Sequence, residues 1–188
     1  ARTQSELEFT AESVKAFGAE ALVVPTDLRK PEQITSAVKK VLETYNTIDV
    51  LINNAGFSPK LRPIVETRLE DWDHVLELNA RAPFLLSQAC LPMMIEKRSG
   101  HILNVVTAAV DIAFPTIGSY RASKAALRAF AECMREEVKE FGIKVTNLLP
   151  EPLDTPMRWE ATPDFPKEQV MAPEEIAEVI LSILKLEN

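Results

Sequence analysis

Glycine, cysteine and positive charge are all scarce in this chain, and each shortage closes off a class of function. The only five glycines in 188 residues are Gly18, Gly56, Gly100, Gly118 and Gly142, too widely spaced to form a G-x-x-x-G-x-G run. No glycine-rich phosphate loop can therefore be drawn from them. The two cysteines, Cys90 and Cys133, lie among helix formers with neither metal-ligand spacing nor a secretory signal nearby. That predicts two buried, unpaired thiols in a reducing compartment, and no metal site. Net charge is −7 with no block of five Lys or Arg, which excludes the basic face that nucleic acid requires. No apolar run approaches the ~18 residues of a membrane span, and Ala1-Arg2-Thr3-Gln4 leads into charge rather than into an apolar signal segment. The expectation is a cytoplasmic protein with no membrane and no nucleic-acid partner.

What the chain does contain is the composition of a globular domain, 46% apolar and 26% charged, and alternating helical and extended patterns. Ser5-Glu6-Leu7-Glu8 has the form of a capping box and predicts a helix to about Phe17, stopped by Gly18. Ala21–Val24 and Val50–Ile52 are short apolar runs that suit strands buried on both faces. Between them Ile34, Val38, Val41, Leu42 and Tyr45 recur at helical spacing. A second capping box, Thr67–Glu70, opens a long helix to roughly Glu96, which Pro83 and Pro92 should bend or break. Ile102–Val106 and Ile143–Leu149 read as strands. Ser119–Phe141 reads as a helix with Ala122, Ala126, Phe130, Met134 and Val138 along one stripe, capped by Gly142. Pro150–Pro166 reads as loop, and a last helix runs from Pro173 to about Leu186. Strands separated by helices imply βαβ units, so the fold class is α/β, a doubly wound parallel sheet with helices on both faces. In such sheets ligands bind beyond the carboxyl ends of the strands, which predicts that Asp27, Asn53–Gly56, Thr107 and the residues from Pro150 onward line one crevice.

The chemistry available there centres on Tyr120 and Lys124, a phenol and an ammonium at i and i+4 on one helix face. A phenol with a pKa near ~10 is a poor base at neutral pH, and a nearby cation favours its anion. A tyrosine tuned in this way can exchange a proton with a substrate oxygen. The spacing alone is weak, since any helical Tyr has a Lys four residues on ~7% of the time at ordinary composition. Thr107, at a predicted strand end 13 residues earlier, adds a hydroxyl for the same oxygen. Asn79 in the long helix adds an anchor for a water or a backbone carbonyl, and Asn54-Ala55-Gly56 follows a buried strand where small residues let a ligand approach.

Taken together these residues resemble the short-chain dehydrogenase/reductase family over essentially the whole chain. The matching motifs are Asn53–Gly56 (Asn-Asn-Ala-Gly), Leu78-Asn79-Ala80, the strand-end hydroxyl of Thr107, Tyr120-x-x-x-Lys124 and Thr155-Pro156-Met157. The resemblance implies one Rossmann-type domain over 1–188, partial at both ends and similar to 3-oxoacyl reductases. It implies an NAD(P)-dependent enzyme that moves a hydride between nicotinamide and a carbonyl or alcohol substrate. Tyr120 would be the general acid/base, Thr107 would position the carbonyl, Lys124 would bind the nicotinamide ribose and lower the tyrosine pKa, and Asn79 would maintain a proton-relay water. Asp27 and Leu28 would line the adenine pocket, Asn54, Ala55 and Gly56 would approach the cofactor backbone, and Pro150, Leu153 and Thr155 would flank its nicotinamide end. Arg2, at the end of what looks like the second strand, favours NADP ahead of NAD. The two long helices would form a homodimer or homotetramer interface, although the same alanine stripe could equally face the sheet. The loop Asp154–Val170, with Met157, Trp159 and Phe165, would form a lid over an apolar pocket.

Three departures set a second reading beside the first, a reductase-like binding or scaffold protein, and a third, a paralogue that only pairs with an active subunit. Thr107 stands where the family usually has serine, which keeps the hydroxyl but stiffens χ1. Pro150 is followed by Glu151 rather than glycine, and the phosphate loop is absent. In the 3-2-1-4-5-6 order, strands 1 and 2 would lie between Ala21–Val24 and Val50–Ile52, so their absence leaves a gap roughly 9–10 Å beyond normal pairing. Unpaired buried backbone groups there would cost about 1–3 kcal/mol each. We therefore expect these residues to be part of a longer polypeptide. An intact mass above that of these 188 residues would bear this out, and a mass equal to it would refute it.

Overall fold

The computed structural model describes residues 1–185. Three strands, β1 (Val50–Asn53), β2 (Gly100–Val105) and β3 (Ile143–Leu148), form one parallel sheet in the order β1-β2-β3. Seven helices surround it: α1 (Gln4–Ala16), α2 (Pro31–Tyr45), α3 (Leu69–Leu76), α4 (Ala82–Lys97), α5 (Gly118–Val138), α6 (Pro156–Ala161) and α7 (Pro173–Lys185). Every residue of β2 is buried, as a central strand covered on both faces must be. The main core joins Val38 of α2, Cys90 and Met94 of α4, Ile102 of β2, and Ala131 and Met134 of α5. The register pairs Asn53 with Asn104 and Asn104 with Asn147. Their side chains form a ladder across the sheet, Asn53 Nδ2 donating to Asn104 Oδ1 at 2.9 Å and Asn104 Nδ2 to Asn147 Oδ1 at 3.2 Å. No helix among the described residues is long and apolar enough to cross a membrane.

Several sequence expectations are corrected. Ala21–Val24 is extended and half-buried but joins no ladder, because no described strand lies alongside it. The outer edge of β1 is likewise open, and Val50 and Ile52 are about two-fifths exposed. Neither predicted capping box forms. Helix α1 starts two residues early, at Gln4 with Thr3 as its N-cap, and α3 is capped by Arg68 without a side-chain bond, the Thr67 hydroxyl donating instead to the Pro63 carbonyl. The long second helix is divided not at a proline but by a π turn, Glu77–Arg81. Pro83, which follows, has no N–H to give to the Asn79 carbonyl four residues back. The Ala82 N–H reaches Glu77, five residues back, and the wider turn absorbs the defect.

Helix α5 buries Ser123, Leu127, Ala131, Met134 and Val138, while Ala126 is exposed. The predicted stripe advanced by four residues at every step, and each such step drifts about 40° around an α-helix. The observed stripe inserts a step of three and stays on one side. Cys133 is exposed rather than buried, and both thiols are free. The loop 150–166 contains α6, and Leu153 bridges in parallel to Met171. The last helix begins at Pro173 as expected, and Leu186 lies outside the described residues.

The turns entering β2 and β3 lie against each other. Gly142 has φ +71°, and a Cβ there would come 2.8 Å from the Arg98 carbonyl oxygen, itself in a left-handed turn. Gly142→Ala should therefore cost about 1–3 kcal/mol of stability, combining backbone strain with the clash. Urea denaturation checks this, and an unchanged midpoint would refute it.

Candidate active site

The strands are parallel, so Asn53, Val105 and Leu148 end on one edge, and the loops beyond them converge as predicted. A cavity of about 430 Å³ is lined there by Asn54, Ala55, Gly56, Thr107, Tyr120, Lys124, Pro150, Glu151, Leu153 and Thr155. A second hollow of about 260 Å³ shares Ala55 and Gly56 with it and extends to Arg2, Asp27, Leu28 and Arg29. The structure thus places every predicted binding residue along one groove. Asn53 is the exception within its motif, since its side chain belongs to the ladder inside the sheet.

Asn79 does not line the cavity but builds it. Its side chain sits on the π turn, fully buried, and pairs with both backbone groups of Phe57: Oδ1 accepts from the Phe57 N–H at 2.8 Å and Nδ2 donates to the Phe57 carbonyl at 2.8 Å. Nδ2 also donates to Ser123 Oγ at 3.0 Å, and Ser123 Oγ donates to the Tyr120 carbonyl at 2.7 Å. The Phe57 ring stacks on His74 at 4.2 Å. One amide therefore ties the loop after β1, the π turn and the first turns of α5 together.

Tyr120 and Lys124 both face the cavity. Burial pushes the Tyr120 phenol above the ordinary tyrosine range, opposed by the charge of Arg158 and by a hydrogen bond with the Thr107 side chain. The Lys124 ammonium is buried, and desolvation holds its pKa down at about 8. Nζ donates to the Val105 carbonyl at 2.7 Å, at the end of β2. Arg158 is thus the cation that opposes the rise at Tyr120, while the Lys124 ammonium is directed at a backbone oxygen. A methyl group at Gly56 would lie 3.5 Å from both Lys124 Nζ and Asn79 Oδ1, taking the space in front of the ammonium.

The other predicted residues are held by local bonds. The Asp27 carboxylate receives Arg29 through Nε at 3.0 Å and Nη2 at 2.7 Å, which holds its pKa well below the usual carboxylate range against the effect of burial. Thr26 N–H donates to the Ala1 carbonyl at 2.9 Å, so the residues around Arg2 and Asp27 lie side by side. Thr155 caps α6, its hydroxyl accepting from the Arg158 N–H at 3.3 Å. The Thr107 hydroxyl also accepts from the Ala109 N–H at 3.3 Å. Sequence reasoning missed Ser123, Arg29 and Arg158. Ser123 sits inside the Tyr-x-x-x-Lys spacing and Arg158 beside the named lid residues, but nothing in either position signals its partner.

The chain and its fold are similar to those of known oxidoreductases. The model of the short chain dehydrogenase family matches residues 1–165. An uncharacterized oxidoreductase of Staphylococcus aureus is 30% identical over 162 residues, covering 86% of this chain and 69% of that protein. Among solved structures, an alcohol dehydrogenase of Thermococcus sibiricus complexed with 5-hydroxy-NADP superposes with TM-score 0.89 at 27% identity, covering 98% of this chain and 77% of that one. A metagenomic short-chain oxidoreductase in complex with NADP gives 0.84 at 27% identity, covering 97% and 76%.

Asn79→Leu would leave the Phe57 N–H and C=O without their partner. Destabilisation of roughly 1–3 kcal/mol for each group is expected. Denaturant unfolding measures it, and a stability equal to wild type would show that the clamp carries no weight.

Proposed function

The chain belongs to the short-chain dehydrogenase family, and on that premise we propose that it interconverts a carbonyl and an alcohol with a nicotinamide cofactor, Tyr120 acting as general acid/base. The observation that carries this reading is the meeting of the Tyr120 phenol, the Thr107 hydroxyl and the Lys124 ammonium around one cavity beyond the strand ends. The groove also fits the cofactor. A desolvated ammonium without an acidic partner among the described residues stands where ribose hydroxyls would lie, with open space before Gly56. The second hollow carries Asp27 and Leu28 for adenine, and Arg2 and Arg29 as cations for a 2′-phosphate. On the strength of these two cations we favour NADP over NAD, since structural neighbours carry ligands of either type.

When bound, the nicotinamide supplies or accepts the hydride. The chain's own residues handle the oxygen. Thr107 donates to the substrate oxygen and fixes its place. Tyr120, protonated at neutral pH, gives its proton as charge builds on that oxygen, and takes one back when an alcohol is oxidised. Lys124 holds the ribose side, and Asn79 keeps the loop and α5 at a fixed separation. The exposed faces of α4 and α5, where Phe84 meets Phe130 edge-on, are the proposed homodimer or homotetramer surface. A binding protein without turnover is the competing reading, favoured by Glu151, which places a carboxylate on the cavity wall.

Tyr120→Phe should reduce turnover by about 10²–10⁴-fold while NADPH still binds. Retained turnover would refute the acid/base role, and failure of wild type to bind NADPH or NADH in a fluorescence titration would favour the binding-protein reading. Because the Lys124 pKa is depressed, its charge is present below about 8 and lost above it. NADPH affinity should fall several-fold as pH rises through that value, and Lys124→Arg, which stays charged, should flatten the dependence.

A further inference from the structure

Beside the Tyr120 cavity lies a larger one of about 690 Å³, walled by Leu61, Ile112, Phe114, Ile117, Phe165 and Met171. The two share Thr107 and Arg158, so a molecule whose carbonyl lies at Tyr120 extends into the larger space past Arg158. Its apolar walls suit a hydrocarbon or aromatic group.

Arg158 is the cationic residue lining this wall. Arg29, Arg68, Arg81 and Arg128 each hold a carboxylate within 3.0 Å, whereas Arg98 and Arg121 donate to backbone carbonyls. Arg158 has no ion pair among the described residues, although Glu151 and Glu168 line the same cavity. Neutral groups hold it instead. Its guanidinium lies 4.8 Å above the Phe165 ring, and Nη1 donates to Thr162 Oγ1 at 3.2 Å. Its backbone is fixed by the Thr155 cap of α6. A half-buried guanidinium held in this way keeps donors available in the fork geometry that matches a carboxylate. Arg158, Tyr120 and Thr107 line one cavity, and the charge of Arg158 is felt at the Tyr120 phenol.

We propose that Arg158 recognises the carboxylate of the substrate, which is an oxo acid (or the corresponding hydroxy acid) bearing that carboxylate one or two bonds from the carbonyl and an apolar remainder that fills the larger cavity. The proposal rests on the oxidoreductase reading for the reaction, but not for the binding of the anion. In this arrangement the carbonyl oxygen lies at Thr107 and Tyr120, the carboxylate pairs with Arg158, and the tail meets Phe114, Ile117 and Met171.

The test uses benzoylformate and its neutral methyl ester with the full-length protein and NADPH. Wild type should prefer the acid in kcat/KM. Arg158→Gln should lower the acid-to-ester ratio by roughly 10–100-fold, the range of a charge-assisted hydrogen bond, with the KM for NADPH unchanged. Arg158→Lys should restore part of the ratio. Thermal unfolding of both variants establishes that they are folded, and should Arg158→Gln not fold, the Lys variant and the wild-type ratio decide. An unchanged ratio, a wild type that does not favour the acid, or a loss that falls on NADPH would each overturn the proposal. Calorimetry separates it from the oxidoreductase reading. Benzoylformate binding that depends on Arg158 without turnover of either compound removes the reaction and keeps the anion site, whereas reduction of the ester without preference for the acid does the reverse.

Discussion

The pairing of the Asn79 amide with both backbone groups of Phe57 is the constraint on which the site depends. A loop beyond a strand end has no ladder to satisfy its N–H and C=O groups, and burying them unpaired is costly. Asn79 supplies the missing donor and acceptor from a neighbouring helix. Its remaining donor capacity reaches Ser123, which bonds the Tyr120 carbonyl. The loop that would carry the cofactor and the helix that carries the phenol are therefore set relative to each other by one side chain. The site's geometry is a property of a buried network rather than of the flexible loops that line it.

The electrostatics follow from the same enclosure. Burial acts in opposite directions on the two titratable partners, pushing the Tyr120 phenol up and the Lys124 ammonium down. Both shifts favour neutral forms, because burial takes the charged form of each group out of water. At the other end of the groove, Asp27 already has its partner in Arg29 and needs nothing from a ligand to remain ionised.

Much of this was legible in the sequence, and the limits have physical causes. Val50–Ile52, Ile102–Val106 and Ile143–Leu149 read as strands from their short apolar runs, although only the central one is buried throughout, and the strand ends predicted the crevice. Ala21–Val24 has the same composition but lacks a neighbour, and composition cannot report a missing partner. The capping boxes failed because the same motif leaves the helix start open by a residue or two, Thr3 capping α1 and the Thr67 hydroxyl turning to the Pro63 carbonyl. The destination of Lys124 was equally hidden. Spacing put it beside Tyr120, yet a flexible four-carbon chain selects its acceptor in three dimensions, and the Val105 carbonyl lay within reach.

The π turn at Glu77–Arg81 makes chain length itself a structural variable. Its buried side runs Val75, Asn79, Pro83 and Ser87 in steps of four, a rhythm that an uninterrupted α-helix would carry progressively out of phase. The extra residue in the wide turn takes up that drift and keeps α3 and α4 facing the same core. Without that residue the turn would close into an ordinary α-helix, in which steps of four, three and four keep the same side toward the core, so the wide turn accommodates a surplus residue without turning α4 away from α3.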